Sequence, residues 1–322
     1  MHHRYRQLLV LTFLFSAAPI AVAQQAVIPS LIRIVVPFSP GASTDIIARA
    51  IAPQLGTRLG TSVIVENRPG GSTFIGAAAV AKAPQDGSWL LFSSTSTLSA
   101  AATAKSVPLD VVKDLTAISI IGEGPLVLAV TAKSEIKTIA DFIAAARAKP
   151  NQLTNGSGGV GTSQHLAAEL LNDSAKVQLN HIPYKGSAPG VIDLASGTIE
   201  TMFATSSTVA PQVKAGRVRL IAVTSLKSNP VFPELPTVSS VVPGFELSLY
   251  TIMFAPAGIP SALLTRLNGE MNEIGKTKEL LELMVADGAV SVSLTAEEAM
   301  AQVRASFVTY KKLAVDKNIV WE

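Results

Sequence analysis

Short apolar runs rich in valine and isoleucine alternate with amphipathic stretches along this sequence, and this alternation constrains the fold more than any other feature. The first run covers residues 32–36 and is followed by a helical pattern over 46–59. Further strand-like runs, separated by helical or turn segments, cover residues 62–66, 89–93, 126–131, 177–182, 199–203 and 220–224. Repeated strand–helix units predict an α/β fold with parallel, helix-covered sheets.

The length of the chain predicts two domains. A chain of 322 residues with 48% hydrophobic residues is long enough for two cores, because single cores stop growing near about 250 to 300 residues. Extended apolar stretches near 126–131 and 248–254 are the expected crossings. We therefore expect a first domain of residues 26–128 and 253–322 and a second domain of residues 129–252, each a mostly parallel sheet flanked by helices.

Several helices are predicted by local chemistry. Thr138 with Asp141 and Thr295 with Glu298 have the spacing of capping boxes, in which two side chains and two backbone N–H groups satisfy each other. Residues 260–317 carry leucines at helical spacings without strand-like alternation. This C-terminal third is expected to be mostly helical and to return to cover a sheet.

The N-terminus has the pattern of a secretory signal peptide. Arg4 and Arg6 precede an apolar run over residues 8–15, and the small residues 21–23 follow. The run is too short to span a bilayer comfortably, which takes about 20 residues. We therefore expect residues 1–23 to be a signal peptide and the mature protein to be periplasmic.

The charge balance argues against a nucleic-acid partner. The chain has 26 Lys and Arg against 23 Asp and Glu, and without Arg4 and Arg6 the count is 24 against 23. A basic footprint for nucleic acid or an anionic membrane surface is therefore absent. The chain has no cysteine, which excludes disulfides, thiol nucleophiles and thiolate metal sites. We expect a monomer without a metal or another cofactor.

The segment 37–45 lies directly after a predicted strand and directly before a predicted helix. Free N–H groups and the positive end of the dipole at a helix N-terminus attract carboxylate or phosphate oxygens. The segment is therefore a candidate anion site. The alternative interpretation is a capping turn with Ser43 or Thr44 as the N-cap. Its candidate ligand-binding residues are Phe38, Ser39, Pro40, Gly41, Ser43, Thr44 and Asp45.

A second glycine-rich segment, 155–165, also opens a predicted helix. Gly156, Gly158 and Gly161 have the spacing of a dinucleotide fingerprint, but the preceding strand is short and polar and no acidic residue follows about 20 positions later. A bound dinucleotide is therefore not expected, whereas an anion site is. Its candidate residues are Gly159, Gly161, Thr162, Ser163 and His165.

Two hydroxyl-rich groups follow predicted strands, where open α/β sheets bind ligands. Ser93, Ser94 and Thr95 form the first group, and Thr205 and Ser206 belong to the second. The alternative for each hydroxyl is an ordinary polar turn or helix cap. If the two glycine-containing segments belong to different domains, a ligand with two acidic ends, or with one acidic and one polar end, can bridge them.

Residues for catalysis are scarce in this sequence. Only His165 and His181 remain after the signal peptide, and neither a zinc-binding spacing nor a Gly-x-Ser-x-Gly motif occurs. His165 lies one turn into a predicted helix, and its alternative role is packing or helix capping rather than general base. Asp45 has no second carboxylate at a spacing that would indicate acid–base catalysis. We therefore do not expect an enzyme.

Six segments in chain order carry a family resemblance over nearly all of the predicted mature chain. They lie at 34–49, 65–71, 83–87, 161–167, 182–186 and 254–258 and include the sequences VENRPGG, APQDG, GTSQHLA and IPYKG. These segments resemble the periplasmic receptors of tripartite tricarboxylate transporters, the Bug family. The resemblance implies a two-domain, type II-like periplasmic-binding-protein fold that closes on its ligand and delivers organic acids, amino acids or related carboxylates to membrane permease subunits.

The resemblance also implies roles for the candidate segments. The loop 37–45 would hold one carboxylate from the first domain, and the turn 159–163 would supply main-chain contacts from the second. Residues 93–95 and 205–206 would line the cleft, with ordered water bridging ligand to the first domain. A sensor that docks on a signalling protein would share this cleft and stays an alternative, as does, with less support, an exported hydrolase.

Two departures from the family pattern bear on the ligand. Ala204 follows the strand that ends at Phe203, where relatives commonly carry Asp, and Glu200 replaces a frequent Asp. Loss of an acidic group at the cleft would remove a natural partner for a ligand ammonium. On this ground we expect an organic acid without an amino group.

Overall fold

The computed structural model describes residues 27–316, 319 and 321, so the predicted signal peptide lies outside the described residues. The strands are β1 (Leu31–Val36), β2 (Ser62–Asn67), β3 (Trp89–Ser94), β4 (Leu115–Pro125), β5 (Val127–Thr131), β6 (Thr154–Ser157), β7 (Asn180–Pro183), β8 (Thr201–Ala204), β9 (Val218–Val223), β10 (Ser248–Pro256) and β11 (Val290–Ser291). The α-helices are α1 (Ser43–Leu59), α2 (Phe74–Ala81), α3 (Thr95–Thr103), α4 (Ile139–Ala148), α5 (Ser163–Ala175), α6 (Ser187–Ser196), α7 (Ser206–Lys214), α8 (Ser261–Ile274), α9 (Lys278–Ala286) and α10 (Ala296–Asp316). Short 3-10 helices cover Gly71–Thr73 and Val238–Ser240.

The strands form two sheets, one per domain. The first has the order β11-β4-β10-β3-β1-β2, and the second has the order β7-β6-β8-β5-β9. The two-domain α/β fold expected from the sequence is therefore confirmed. Helices flank each sheet, since each sheet buries two apolar faces.

Both sheets are mixed. β1 is parallel to β2 and β3, and β6 is parallel to β7 and β8. In contrast, β10 is antiparallel to β3 and β4, and β5 is antiparallel to β8 and β9. The expectation of mostly parallel sheets is thus wrong for the strands next to the domain crossing. The chain leaves the first domain through β4 and returns through β10, so these two strands run side by side in opposite directions.

The two crossings meet at one buried threonine. Leu126 joins β4 to β5, and Leu247 directly precedes β10. The Thr224 hydroxyl accepts a hydrogen bond from the Leu126 N–H at 2.8 Å and donates one to the Leu247 carbonyl at 2.7 Å. The expected domain boundaries, after residues 128 and 252, fall inside β5 and β10. We therefore propose boundaries at Leu126 and Leu247.

Hydrophobic burial fixes the layers and joins the domains. Ile51 of α1, Phe92 of β3 and Leu267 of α8 are fully buried in a core on one face of the first sheet. A second core runs from Leu98 of α3 to Phe203 of β8 and so includes residues of both domains. Because removal of apolar surface from water stabilises by roughly 25 cal/mol per Å², this shared core favours the arrangement in which the domains touch.

Several local predictions can be compared with this fold. Both capping boxes are confirmed: Thr138 Oγ1 accepts from the Asp141 N–H at 3.0 Å, and Thr295 Oγ1 accepts from the Glu298 N–H at 3.2 Å. The strand expected over 177–182 begins only at Asn180, because the Val177 and Leu179 N–H groups bond back to Asn172 instead of to a neighbouring strand. The C-terminal third is mostly helical, as expected.

Within the described part of the chain, no helix combines the length and apolar character needed to cross a lipid bilayer.

Candidate ligand cleft

A cavity lies between the two domains, where five helices begin. α1 and α3 open onto it from the first domain, and α5, α6 and α7 open onto it from the second. Its volume is about 50 Å³, which holds a few water-sized groups. The cavity is lined by Phe38, Ala42, Ser43, Thr44, Ile47, Ser94, Ser96, Gly124, Pro125, Gln164, Ser187, Thr205, Thr208, Leu249, Thr251, Met284, Asp287 and Ala289. Because the N-termini of these helices place positive dipole ends at the cavity, negative charge is favoured here.

The predicted site residues divide between this lining and the structure around it. Those in the lining are Phe38, Ser43, Thr44, Ser94 and Thr205. Those outside it are Ser39, Pro40, Gly41, Asp45, Ser93, Thr95, Gly159, Gly161, Thr162, Ser163, His165 and Ser206. Direct contact with a ligand stays a prediction for each residue in the lining.

Asp45 stabilises the conformation of the loop 37–45 by hydrogen bonds within the first domain. Its Oδ2 accepts a hydrogen bond from the Gly41 N–H at 2.9 Å, its Oδ1 accepts one from Asn67 Nδ2 at 2.9 Å, and Arg49 Nε lies 3.0 Å from Oδ1. Burial by itself raises the pKa of Asp45, but these donors outweigh burial and hold the pKa below its ordinary value. The carboxylate therefore shapes the loop and is 3% exposed.

The helix that follows this loop begins without a side-chain cap. Its N-cap is Ala42, and Ser43 and Thr44 are its first helical residues. The capping interpretation of these two hydroxyls is therefore wrong. Instead, Ser43 connects across the cleft, because its N–H donates to Thr208 Oγ1 at 3.0 Å.

The rim of the same loop touches the second domain. Ser39 Oγ donates to the Lys185 carbonyl, and Pro40 is exposed. A Cβ atom at Gly186 would lie 2.6 Å from Ser39 Oγ and 2.8 Å from Ser39 N. Only a glycine lets the two domains come this close at this point.

The glycine-rich turn 159–163 lies against α3 of the first domain. Ser99 Oγ donates to the Gly161 carbonyl at 2.8 Å, and the Ser163 N–H donates to Ser96 Oγ at 3.3 Å. A Cβ atom at Gly161 would lie 2.9 Å from Ala100 Cα. The turn therefore serves as an interdomain packing contact, and its N–H groups at Gly161 and Ser163 already have protein partners.

His165 holds this turn in place. Its Nδ1 accepts a hydrogen bond from the Gly161 N–H at 3.1 Å, and its Nε2 lies 3.4 Å from Glu169 Oε1. Its ring stacks on His181 at 3.7 Å. Burial and the neighbouring His165 lower the pKa of His181 to about 3, so His181 is neutral near pH 7. The packing alternative for His165 is supported by these contacts.

The hydroxyl groups at the end of β3 and after β8 have mixed roles. Ser94 lines the cavity and also caps α3, since its Oγ accepts from the Ser96 N–H at 3.2 Å. Ser93 Oγ pairs with Thr97 Oγ1 at 2.7 Å inside the first domain. Thr205 Oγ1 lies in the lining and pairs with Thr208 Oγ1 at 2.7 Å. A capping role and a lining role are therefore compatible in one residue.

Asp287 lines the cavity but was not among the residues predicted from the sequence. Of the lining residues that were not predicted, it changes the expected ligand most. It follows α9 as its C-cap, and it is 7% exposed. Its Oδ2 accepts from Ser43 Oγ, and its Oδ1 accepts from the Ser207 N–H at 2.6 Å. Burial raises the pKa of Asp287, and the hydrogen bonds from Ser43 and Ser207 oppose this. An acidic residue at a helix C-terminus opposes the dipole, which is the signal in the sequence that could have marked it.

This carboxylate corrects one premise about the ligand. The absence of Asp at position 204 led us to expect a cleft without an acidic group. Asp287 supplies such a group from a distant part of the chain. The premise is wrong, and the exclusion of amino ligands that rested on it no longer follows.

Gln164 and Ser187 join two helix openings of the second domain at the cavity. Gln164 Oε1 accepts from the Gly158 N–H at 2.5 Å, and its Nε2 donates to Ser187 Oγ at 2.7 Å. Both residues lie in the lining. The contribution of α5 to the cavity is therefore a side-chain amide rather than the glycine-rich turn before it.

Comparison with known proteins identifies the family of this chain. The family model of the tripartite tricarboxylate transporter family receptor, TctC, matches residues 47–317. The chain belongs to this family. It is 34% identical to protein BugT of Bordetella pertussis over 285 residues, which cover 88% of this chain and 87% of BugT. The predicted membership in the Bug family is therefore confirmed.

Solved structures of the family have the same fold. The R. palustris protein Rpa4515, solved with adipate, is 30% identical with a TM-score of 0.86 and covers 90% of this chain and 98% of its own. The periplasmic binding protein BugD is 27% identical with a TM-score of 0.85 over the same shares of the two chains. This family consists of periplasmic solute-binding receptors, and its members are binding proteins.

Within the described residues, no three His, Asp or Glu side chains are grouped so that they could hold a metal ion.

Proposed function

We propose that this chain is exported to the periplasm, captures a small carboxylate between its two domains, and delivers it unchanged to the permease subunits of a tripartite transporter. The single observation that carries the proposal is the meeting of five helix openings from both domains around one cavity. A signal peptide at residues 1–23 and a monomeric receptor are part of the proposal.

The described lining of the cavity offers neutral donors to a carboxylate. Hydroxyls of Ser43, Thr44, Ser96 and Ser187 and the amide of Gln164 line it. Neutral donors at helix openings can bind a carboxylate, because the positive dipole ends there favour negative charge. The adipate in Rpa4515 supports a carboxylate as the ligand class.

Closure follows from contacts with both domains. A ligand that touches both sides of the cavity binds the closed form better than the open form, and only this difference shifts the population. The interdomain contacts at Gly161 and Gly186 exist only when the domains meet. A ligand in the cavity would therefore stabilise these contacts and present a closed receptor to the permease.

A thermal-shift screen of small carboxylates tests the proposal. A true ligand at a hundredfold excess over its dissociation constant should stabilise the folded protein by about 2.7 kcal/mol. Mass spectrometry of the recovered ligand should show no chemical change, whereas a hydrolase would convert it. If no carboxylate raises the melting temperature, the proposed ligand class is wrong.

The permease is tested separately from the ligand. The ligand-loaded protein should stimulate uptake in vesicles that contain the cognate transporter subunits, and the protein without ligand should not. Stimulation of a sensor kinase in place of uptake would favour the sensor alternative.

A further inference from the structure

Asp287 sets the charge of the cavity. Among the described residues that line it, Asp287 alone has a charged side chain. None of the described lining residues is a lysine, an arginine or a histidine. A ligand that brings only negative charge would therefore lie beside a buried carboxylate without a compensating cation, which is unfavourable.

Burial raises the pKa of Asp287, and two hydrogen bonds from the protein oppose this by stabilising the carboxylate. Ser43 of the first domain and Ser207 of the second each donate a hydrogen bond, one to each carboxylate oxygen. Each oxygen has a second lone pair that a further donor can use. An ammonium group offers three donors and a positive charge, so it can supply what the protein does not.

The rest of the lining suits the other parts of a small zwitterion. Phe38, Ile47, Leu249 and Met284 form apolar walls that can contact a short carbon chain. Apart from Asp287 and Ser43, whose hydroxyl already donates to Asp287, the polar side chains of the lining are hydroxyl and amide groups that can donate to a carboxylate. The volume of about 50 Å³ favours a short molecule.

We infer that Asp287 determines the ligand class: the cavity takes a short amino carboxylate, whose ammonium group pairs with Asp287. This inference rests on the proposed function and narrows it. Ligands with a carboxylate at both ends, or with an apolar end, are disfavoured by the same side chain.

Calorimetric titration with two matched sets of compounds tests the inference. One set is succinate, butanoate and 4-aminobutanoate, and the other is malonate, propanoate and alanine. At neutral pH the wild-type protein should bind the amino compound of at least one set at least about tenfold more tightly than the dicarboxylate of that set.

The decisive variant is Asp287→Asn, which keeps the shape and one oxygen for the Ser207 N–H. In this variant the amino compound should lose at least about tenfold in affinity, while the dicarboxylate should bind equally well or more tightly. Glu282→Gln is the matched control, because Glu282 is exposed on α9 and pairs only loosely with Lys278 at 3.7 Å. The Glu282→Gln variant should bind the test compounds in the same order of affinity as the wild type.

The outcomes of these titrations distinguish failure of the inference from failure of the proposed function. A wild-type preference for dicarboxylates or simple acids, or an unchanged preference in Asp287→Asn, overturns the inference and leaves the proposed function intact. A best ligand without an ammonium group in the wider thermal-shift screen does the same. If neither this panel nor the wider screen gives any binding carboxylate, the proposed function fails and the inference fails with it.

Discussion

The loop before α1 and the turn before α5 have similar sequences but different roles. Both place glycine, serine and threonine at a helix opening, and both were expected to hold an anion. In the structure the first opening lines the cavity through Ser43 and Thr44, whereas the second packs against α3 through Gly161 and Ser163. Small residues allow a close approach of any neighbour, so the pattern predicts the approach and does not say whether the neighbour is a ligand or a helix.

The largest expected effect comes from Gly161→Val. A Cβ atom there would meet Ala100 Cα at 2.9 Å, with φ at +77°. We expect the fold of each domain to remain and the affinity for the best carboxylate of the thermal-shift screen to fall about 100-fold, because overpacking of about 3 kcal/mol opposes closure. Calorimetry measures the affinity, and small-angle scattering measures the opening.

Gly216→Val is the control for that change. Gly216 has a similar φ of +69°, but none of the residues that the structure describes has an atom within 4 Å of its Cβ position. It should lose stability through backbone strain and keep wild-type affinity. Equal losses of affinity in the two variants would contradict a role for the turn 159–163 in closure.

Asp45→Asn tests whether the first loop depends on the Asp45 side chain. The change removes the acceptor that serves Gly41 and the charge that pairs with Arg49, so we expect a loss of about 2 kcal/mol in the free energy of unfolding. Because the folded pKa is lowered, the stabilisation is present above the unfolded pKa of about 3.9 and disappears as pH falls through the folded pKa.

Denaturant titrations at neutral and acidic pH measure this difference. The difference in the free energy of unfolding between wild type and Asp45→Asn should be largest at pH 7 and should become smaller below about pH 4. Asp316→Asn, which alters an exposed pair with Lys312, should change stability by less than about 0.5 kcal/mol. A gap that is constant with pH would show that the carboxylate charge at position 45 does not matter.

A pair of hydroxyl deletions compares the two openings directly. Ser43→Ala should weaken binding of the same carboxylate about tenfold, because Ser43 lines the cavity and orients Asp287. Ser163→Ala should change affinity by less than about threefold, because its hydroxyl lies 3.4 Å from Thr95 Oγ1, outside the cavity. The reverse order would restore the turn before α5 as the anion site.

The smallest expected effect concerns stability at Asp287. Burial raises the folded pKa of Asp287. The stability that the folded protein has with this group protonated is therefore fully present below the unfolded pKa, and it is lost as pH rises through the folded pKa. Asp287→Asn should therefore stabilise the ligand-free protein by about 1 kcal/mol at pH 7, with no gain below about pH 4. A loss of stability at pH 7 would mean that the hydrogen bonds to the carboxylate outweigh its burial.

The architecture could be predicted from the sequence where local patterns decide it. The alternation of apolar runs gave β1, β2 and β3 within a residue or so, and the capping boxes at Thr138 and Thr295 were correct. The run over 115–125 was missed as a strand because it contains two glycines and a glutamate. Strand direction was also missed, since it depends on where the chain crosses between domains.

The site was predictable only in part, for a different reason. Phe38, Ser43, Thr44, Ser94 and Thr205 share a position at the start of a helix or the end of a strand, which the sequence shows. Asp287 is 244 residues from Ser43 in sequence, and its place in the cavity depends on how α9 packs on α1. Its position at the C-terminus of α9 marks it as an unusual acidic residue, but no local pattern tells which cavity it lines.

The hydrogen bonds of Thr224 to Leu126 and Leu247 bear on how the receptor moves. Because one hydroxyl ties both crossings at the same height, and β4 and β10 are paired up to that level, sliding or twisting of one lobe against the other would break buried bonds. Swinging about an axis through this point breaks none of them. We therefore expect the two lobes to open and close mainly by rotation about an axis near Thr224.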